Sequence, residues 1–284
     1  MEWQLLRAFL SLLVLNIFTS SAFSEITIIS WNAKHLGRKS QDLKASASLL
    51  TGGDLIAIQE VNAGVSGAKA LFDLSVLLAR EGVKYCVGLS EIPTDSRERY
   101  GILWRDAAIS YVSTNGSIID RCPPQAITLR LGAAGADKIV REPAVGIFLE
   151  RSTQKKFHFA TIHLVPTAKH PEKEIEPLFS TIEGLPGKYP RIVAGDFNLS
   201  SDHSAFVVAR ELGYVPALRG EERTSLKAKT RGMSKAFDNV WTKNAKSLDA
   251  QVISSIERFR DRSQEEIYRN ISDHAPIMAV IKFD

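Results

Sequence analysis

Sulfur is scarce in this chain, with only Cys86, Cys122 and three methionines in 284 residues. There is no Cys-x-x-Cys pair and no Cys/His cluster, which excludes a structural zinc site of the usual composition. Repeats, low-complexity tracts and long linkers are missing as well, so nothing divides the chain into several domains. The apolar run at residues 8–18 is short and interrupted by Ser11 and Asn16, too little for a membrane span. No aromatic, apolar hairpin suited to docking on a lipid surface is evident. Charge of one sign is weak too: a formal net charge of +4 is compatible with a polyanionic substrate and does not establish one.

The remaining composition, 24% charged and 44% hydrophobic, is that of a folded protein with a sizeable core. Arg7, the apolar run behind it and the small-residue site Ala22-Phe23-Ser24 read together as a secretory signal peptide over 1–24. Residues 25–284 then form a single domain, secreted or periplasmic. In an oxidising compartment Cys86 and Cys122 could form one disulfide or remain two buried thiols. A bridge would close a loop of about 36 residues and contribute roughly 3–4 kcal/mol in the chain-entropy picture.

Apolar periodicity predicts strands at 26–31, 54–60, 100–104, 107–112, 126–131, 144–149 and 156–163. Further strands are expected around 191–194, 239–242, 250–254 and 275–283. Helices are expected near 43–50, over 67–81, over 171–184 behind Pro171, and over 202–212 behind Ser201. Strands and helices alternate in both halves, which suggests two packed sheets with outer helices.

Several strand-like runs end in residues that carry chemistry. Glu60 closes one, and a buried carboxylate there would need a partner such as a hard divalent cation; an ordinary surface acid is the alternative. His163 sits between Ile162 and Leu164 and, taken alone, reads better as a satisfied core histidine than as an acid or base. Asp196 and Asn198 lie two apart across a turn, either converging on one pocket or making a plain Asx-turn. Ser272-Asp273-His274 precedes the final strand. Gathered at one sheet edge, these carboxylates and imidazoles would have the chemistry of metal-assisted phosphoester cleavage.

The ordered set Trp31-Asn32, Gln59-Glu60-Val61, Arg141-Glu142-Pro143, Ile162-His163, Gly195-Asp196-Phe197-Asn198, Phe237-Asp238-Asn239 and Ser272-Asp273-His274 resembles the endonuclease/exonuclease/phosphatase superfamily. Within it the chain is most similar to DNase I-like nucleases, over about residues 26–284. The resemblance implies an α+β fold, a four-layer α/β/β/α sandwich of two packed mixed β-sheets flanked by helices. It implies Glu60, helped by Asn32, as the ligand of Mg2+, with Mn2+ or Ca2+ as substitutes. It casts His163 as general acid held by Glu98, and His274 as base oriented by Asp238. Asp196 and Asn198 would position water and phosphate, Asp273 would reach a metal or His274, and Arg141 would bind a phosphate oxygen. Either Asp196 or His274 can be the base in this family.

The expected substrate is DNA, cut endonucleolytically with low sequence specificity and without an obligate protein partner. A phospholipid or inositol phosphate is the rival substrate, and a non-catalytic binding protein the minor alternative. Relatives can carry an arginine two residues after the metal glutamate and a tyrosine two before the His-pairing glutamate; here those places hold Asn62 and Ser96. The sequons Asn198-Leu-Ser and Asn270-Ile-Ser fall in or beside the expected site and are read as unmodified, which favours a bacterial source.

Overall fold

The first strand, β1 (Glu25–Leu36), buries side chains on both faces, as expected of a strand covered on both sides. A computed structural model describes residues 25–79, 82–94, 96–132, 138–227 and 229–283. The expected signal segment and positions 80–81 of the second expected helix lie outside the described residues. The first half continues with α1 (Leu43–Leu50), β2 (Leu55–Asn62), α2 (Val65–Leu78), β3 (Tyr85–Ser90), β4 (Glu98–Arg105), β5 (Ile109–Val112), β6 (Ile118–Ile119) and β7 (Ile127–Leu131). The second comprises β8 (Ala144–Glu150), β9 (Lys155–His163), α3 (Glu172–Glu183), β10 (Arg191–Asp196), α4 (Val207–Glu211), β11 (Val215–Pro216), β12 (Asp238–Lys243), β13 (Lys246–Val252), α5 (Ser255–Arg258), α6 (Gln264–Asn270) and β14 (Ile277–Lys282).

The strands form one mixed sheet in the order β11-β12-β10-β9-β8-β7-β3-β4-β2-β1-β14-β13, with β5 and β6 attached beside β8. Two packed mixed sheets were expected; β7 pairs with β3 on one side and β8 on the other and joins the halves into one curled sheet. Such pairings connect runs far apart in sequence, so periodicity cannot report them. Helix α4 is shorter than expected, because a 3-10 turn at Ser204–Phe206 precedes it and Gly213 follows. Cys86 of β3 is bonded to Cys122, which decides between the two cysteine readings.

Three apolar cores hold the sheet and helices together. One packs α1, α2 and α6 on Ile29, Trp31, Ile56 and Ile58. A second joins Ile28, Leu55 and Trp104 of the first half to Phe157, Phe159 and Ile192 of the second, so the sheet curls onto itself. The third sets Ile175, Phe179 and Ile182 of α3 against Ile162, Val193 and Trp241. Between the halves, Gln59 donates to Ser30 Oγ at 3.1 Å and Thr161 Oγ1 at 2.8 Å, tying β2 to β9.

These connections bring one edge of each half together. β1 and β2 run parallel, as do β9 and β10, so within each pair the C-terminal ends share an edge. Their antiparallel neighbours β4, β12 and β14 begin at those edges. The site is built on that row of strand ends.

Candidate active site

Asp196 is the centre of the row. It lies opposite His163 across the parallel β9–β10 pairing and opposite Asp238 across the antiparallel β10–β12 pairing. Its carboxylate is buried, and Oδ2 lies 3.6 Å from both His163 Nε2 and His274 Nε2. Asn32 of β1 donates its amide to Asp196 Oδ2 and to Glu60 Oε1, each at 3.0 Å. Burial disfavours the charged form of Asp196, but His274, His163 and the Asn32 and Asn198 hydrogen bonds outweigh it and hold the carboxyl below its usual range.

Each imidazole is oriented through its other nitrogen. His163 Nδ1 is 2.8 Å from Glu98 Oε1, which leaves Nε2 facing Asp196 and Glu60 Oε1, the latter at 3.8 Å. Glu98 in turn receives Arg141 Nη1 at 2.8 Å. Burial pushes Glu98 up, yet the His163 and Arg141 contacts prevail and lower it. His274 Nδ1 is 2.8 Å from Asp238 Oδ2. Burial opposes its charge, but Asp238 and Asp196 together raise it from 6.5 to about 10. A group raised in the folded state stabilises below its unfolded pKa and loses that contribution as pH climbs through the folded one. The melting temperature is therefore expected to fall between pH 6.5 and about 10. On the acid side Glu98 and Asp196, lowered from 4.5 and 3.8, withdraw stability as pH drops below those values. A melting series against pH checks both limbs; Asp238→Asn should flatten the alkaline one, and an unchanged slope would refute the assignment.

Among the described residues, three groups have donor atoms within 4.8 Å of one another, and two of them could hold a cation: His35, Glu60 and Glu98, and Asp196, Asp238 and His274. The group at Cys86, Asp106 and Cys122 has no thiolates to offer, since its cysteines are bonded together. Glu60 is held at φ +56° between strand irregularities, a conformation rarely occupied by non-glycine residues away from functional sites. Its Oε2 meets the His35 backbone N–H at 3.1 Å and His35 Nδ1 at 3.3 Å. Carboxylate and amide oxygens suit Mg2+, and the adjacent imidazole is a donor that Mn2+ also accepts.

The structure gathers Asn32, Glu60, Glu98, His163, Asp196, Asp238 and His274, and sets three expected residues differently. Arg141 is turned inward, donating to the His163 and Leu164 carbonyls as well as Glu98. Asn198, at φ +49°, donates its amide to Leu164 O at 2.9 Å while its N–H reaches Asp196 Oδ1 at 2.8 Å. Asp273 faces Lys34 Nζ at 3.5 Å, outside both candidate cation groups.

Three bracing residues have no role assigned from the sequence. The Tyr100 hydroxyl bridges the Arg141 carbonyl and the His163 N–H. Thr224 donates to Asp238 Oδ2 at 2.6 Å. Buried Glu174 accepts from Val140 N and Val165 N, fixing the segments that carry Arg141 and follow His163. Only Glu174 had a local signal, as an acid in the first turn of α3. A cavity of about 420 Å³ beside Tyr111, Ile147 and Tyr189 lies toward the opposite ends of these strands, away from this chemistry.

Residues 29–274 match the endonuclease/exonuclease/phosphatase family. A deoxyribonuclease of Thioalkalivibrio sp. (strain K90mix) is 28% identical, over 97% of this chain and 76% of the relative. Among solved structures, D. rerio TDP2 complexed with a single-strand DNA product superposes with a TM-score of 0.63 at 16% identity, covering 91% of this chain and 99% of TDP2. The Bacteroides thetaiotaomicron mannosyl-6-phosphatase Bt3783 does so with 0.62 at 17% identity, covering 91% and 100%.

Proposed function

Because the chain belongs to the endonuclease/exonuclease/phosphatase family, we propose that it is an exported, divalent-metal-dependent endonuclease that hydrolyses DNA phosphodiester bonds with little sequence preference. In this reading the curled sheet and its helices are the family's four-layer sandwich. The observation that carries the chemistry is the convergence of two carboxylate-backed imidazoles on Asp196, each through Nε2 at 3.6 Å.

The roles follow from which atoms are already engaged. His163, its Nδ1–H on Glu98, presents Nε2–H to the leaving oxygen and protonates it as the P–O bond breaks. His274 is held charged at neutral pH, so it serves as a donor to a phosphate oxygen. Ionised Asp196 then accepts the proton of the attacking water. Glu60 and Asn32 would hold the divalent cation, which supplies charge neutralisation at the phosphate. Arg141 keeps Glu98 charged and oriented for His163. Among the basic side chains near the site, Arg38 is committed to the carbonyls of Ala33, Lys34, Arg269 and Ile271. Arg97 and Lys169 remain on the surface beside the site.

Supercoiled plasmid is the direct test. Nicking in Mg2+, loss of nicking in EDTA and recovery on adding Mg2+, Mn2+ or Ca2+ are expected. Plasmid left intact in all three ions while sphingomyelin or a phosphoinositide is cleaved would transfer the site to the lipid branch. No turnover of any of these substrates would leave only a binding protein.

A further inference from the structure

A cleft of about 400 Å³ opens on the Glu98 side of His163, lined by Asn62, Ser96, Arg97, Val140, Pro166 and Lys169 among others. Its walls come from loops that are fastened to one another. Ala63 N–H donates to Arg97 O at 3.0 Å, and Thr94 makes two hydrogen bonds to the Glu142 carboxylate. Glu174 pins Val140 and Val165 from behind. The recess is thus built before any ligand arrives, which lowers the ordering cost of binding.

The groups inside it combine hydrogen-bonding atoms with apolar surface. Among the described residues the Asn62 amide has no partner, so it offers a donor and an acceptor together. Ser96 Oγ accepts from Glu98 N, which leaves its O–H free to donate. Val140, 59% exposed at the lip, with exposed Pro166 supplies apolar surface for a base face. Arg97 and Lys169, on the rim without carboxylate partners among the described residues, suit the flanking phosphates.

We infer that this cleft takes an unpaired nucleotide on the leaving-group side of the scissile phosphate, so that single-stranded or bulged DNA is cut in preference to a regular duplex. The inference rests on the phosphodiesterase reading of the adjoining residues. A duplex keeps its bases stacked and paired and reaches a recess only by extruding one, whereas a bulge or single strand offers it directly.

Three substrates at one salt concentration test this: a labelled single-stranded oligodeoxynucleotide, its perfect duplex, and the duplex with a central bulge. The kcat/KM ratio of single strand to duplex is expected to be at least about tenfold, the scale of one captured base, with cleavage of the third substrate focused at the bulge. Ser96→Tyr, which fills the recess, should bring that ratio toward one. Val140→Trp, at the exposed lip, does the same from outside should Ser96→Tyr fail to fold. A duplex cut as fast as the single strand, or a ratio untouched by a folded variant, overturns the inference. Hydrolysis of bis(p-nitrophenyl) phosphate separates the two levels. Its turnover with equal duplex and single-strand rates removes only the nucleotide cleft; no turnover removes the phosphodiesterase reading and this inference with it.

Discussion

His163→Ala is expected to lower the turnover of plasmid DNA by about 10²–10⁴-fold, the usual contribution of a positioned general acid. The size follows from position: Nε2 faces Asp196 and Glu60 while Nδ1 is held by Glu98. Removing the ring leaves Glu98 to Arg141 alone, so some loss of thermal stability should accompany the loss of rate. A leaving-group comparison separates the two effects. p-Nitrophenolate departs without protonation, so His163→Ala should lose much less on bis(p-nitrophenyl) phosphate than on DNA. His274→Ala, which removes a charged donor instead, should lose about 10²-fold or more on both. Equal losses on both substrates for His163→Ala would remove it from the leaving oxygen, and near-normal DNA cleavage would remove it from the mechanism.

The largest effect on stability is expected from Gly195→Ala. A Cβ there would lie 2.0 Å from the Ile162 carbonyl oxygen and 2.9 Å from its carbon, both backbone atoms that cannot turn aside. Relief requires moving β10 away from β9, which breaks the pairing that sets Asp196 opposite His163. Even ordinary overpacking costs roughly 1–3 kcal/mol, and a clash with a paired strand should exceed that, leaving insoluble or inactive protein. Gly52→Ala is the control: nothing lies within 4 Å of its Cβ, and only the positive φ of +93° opposes it. That cost is about 1 kcal/mol. Chemical denaturation of both variants decides the matter; similar unfolding midpoints would refute the close-approach argument.

The parts of the site legible in the sequence share one property. Glu60, Asp196 and the segment before β14 are polar residues at the ends of apolar runs, and the run itself says that the backbone leaves the sheet there. Tyr100 and Thr224 do the same work from inside, and nothing local marks them. Tyr100 meets His163 across 63 positions, and Thr224 meets Asp238 across 14. The inward turn of Arg141 was hidden for a related reason. A guanidinium beside a glutamate in sequence is as free to bind phosphate as to brace a carboxylate, and only the packed position of Glu98 decides. Among the elements, β3 was obscured by the mixed run Tyr85-Cys-Val-Gly-Leu-Ser90. Helix α6 is absent from the sequence reading as well, although its capping box, Ser263 with Glu266, is a local signal that could have found it.

The place of β14 in the sheet has a consequence in time. It is the last of the described strands, yet it sits between β1 and β13 and hydrogen-bonds to β1 from Glu25↔Lys282 to Ser30↔Ile277. His274 enters on the residues just before it, so one of the two imidazoles arrives only when this strand docks. A nascent chain halted upstream has β1 unpaired on that side and holds the other catalytic groups without their charged partner. On the proposed mechanism, a ribosome-bound or C-terminally clipped chain cannot cut nucleic acid, and the hazard of a nuclease inside the cell that makes it begins only with the final strand.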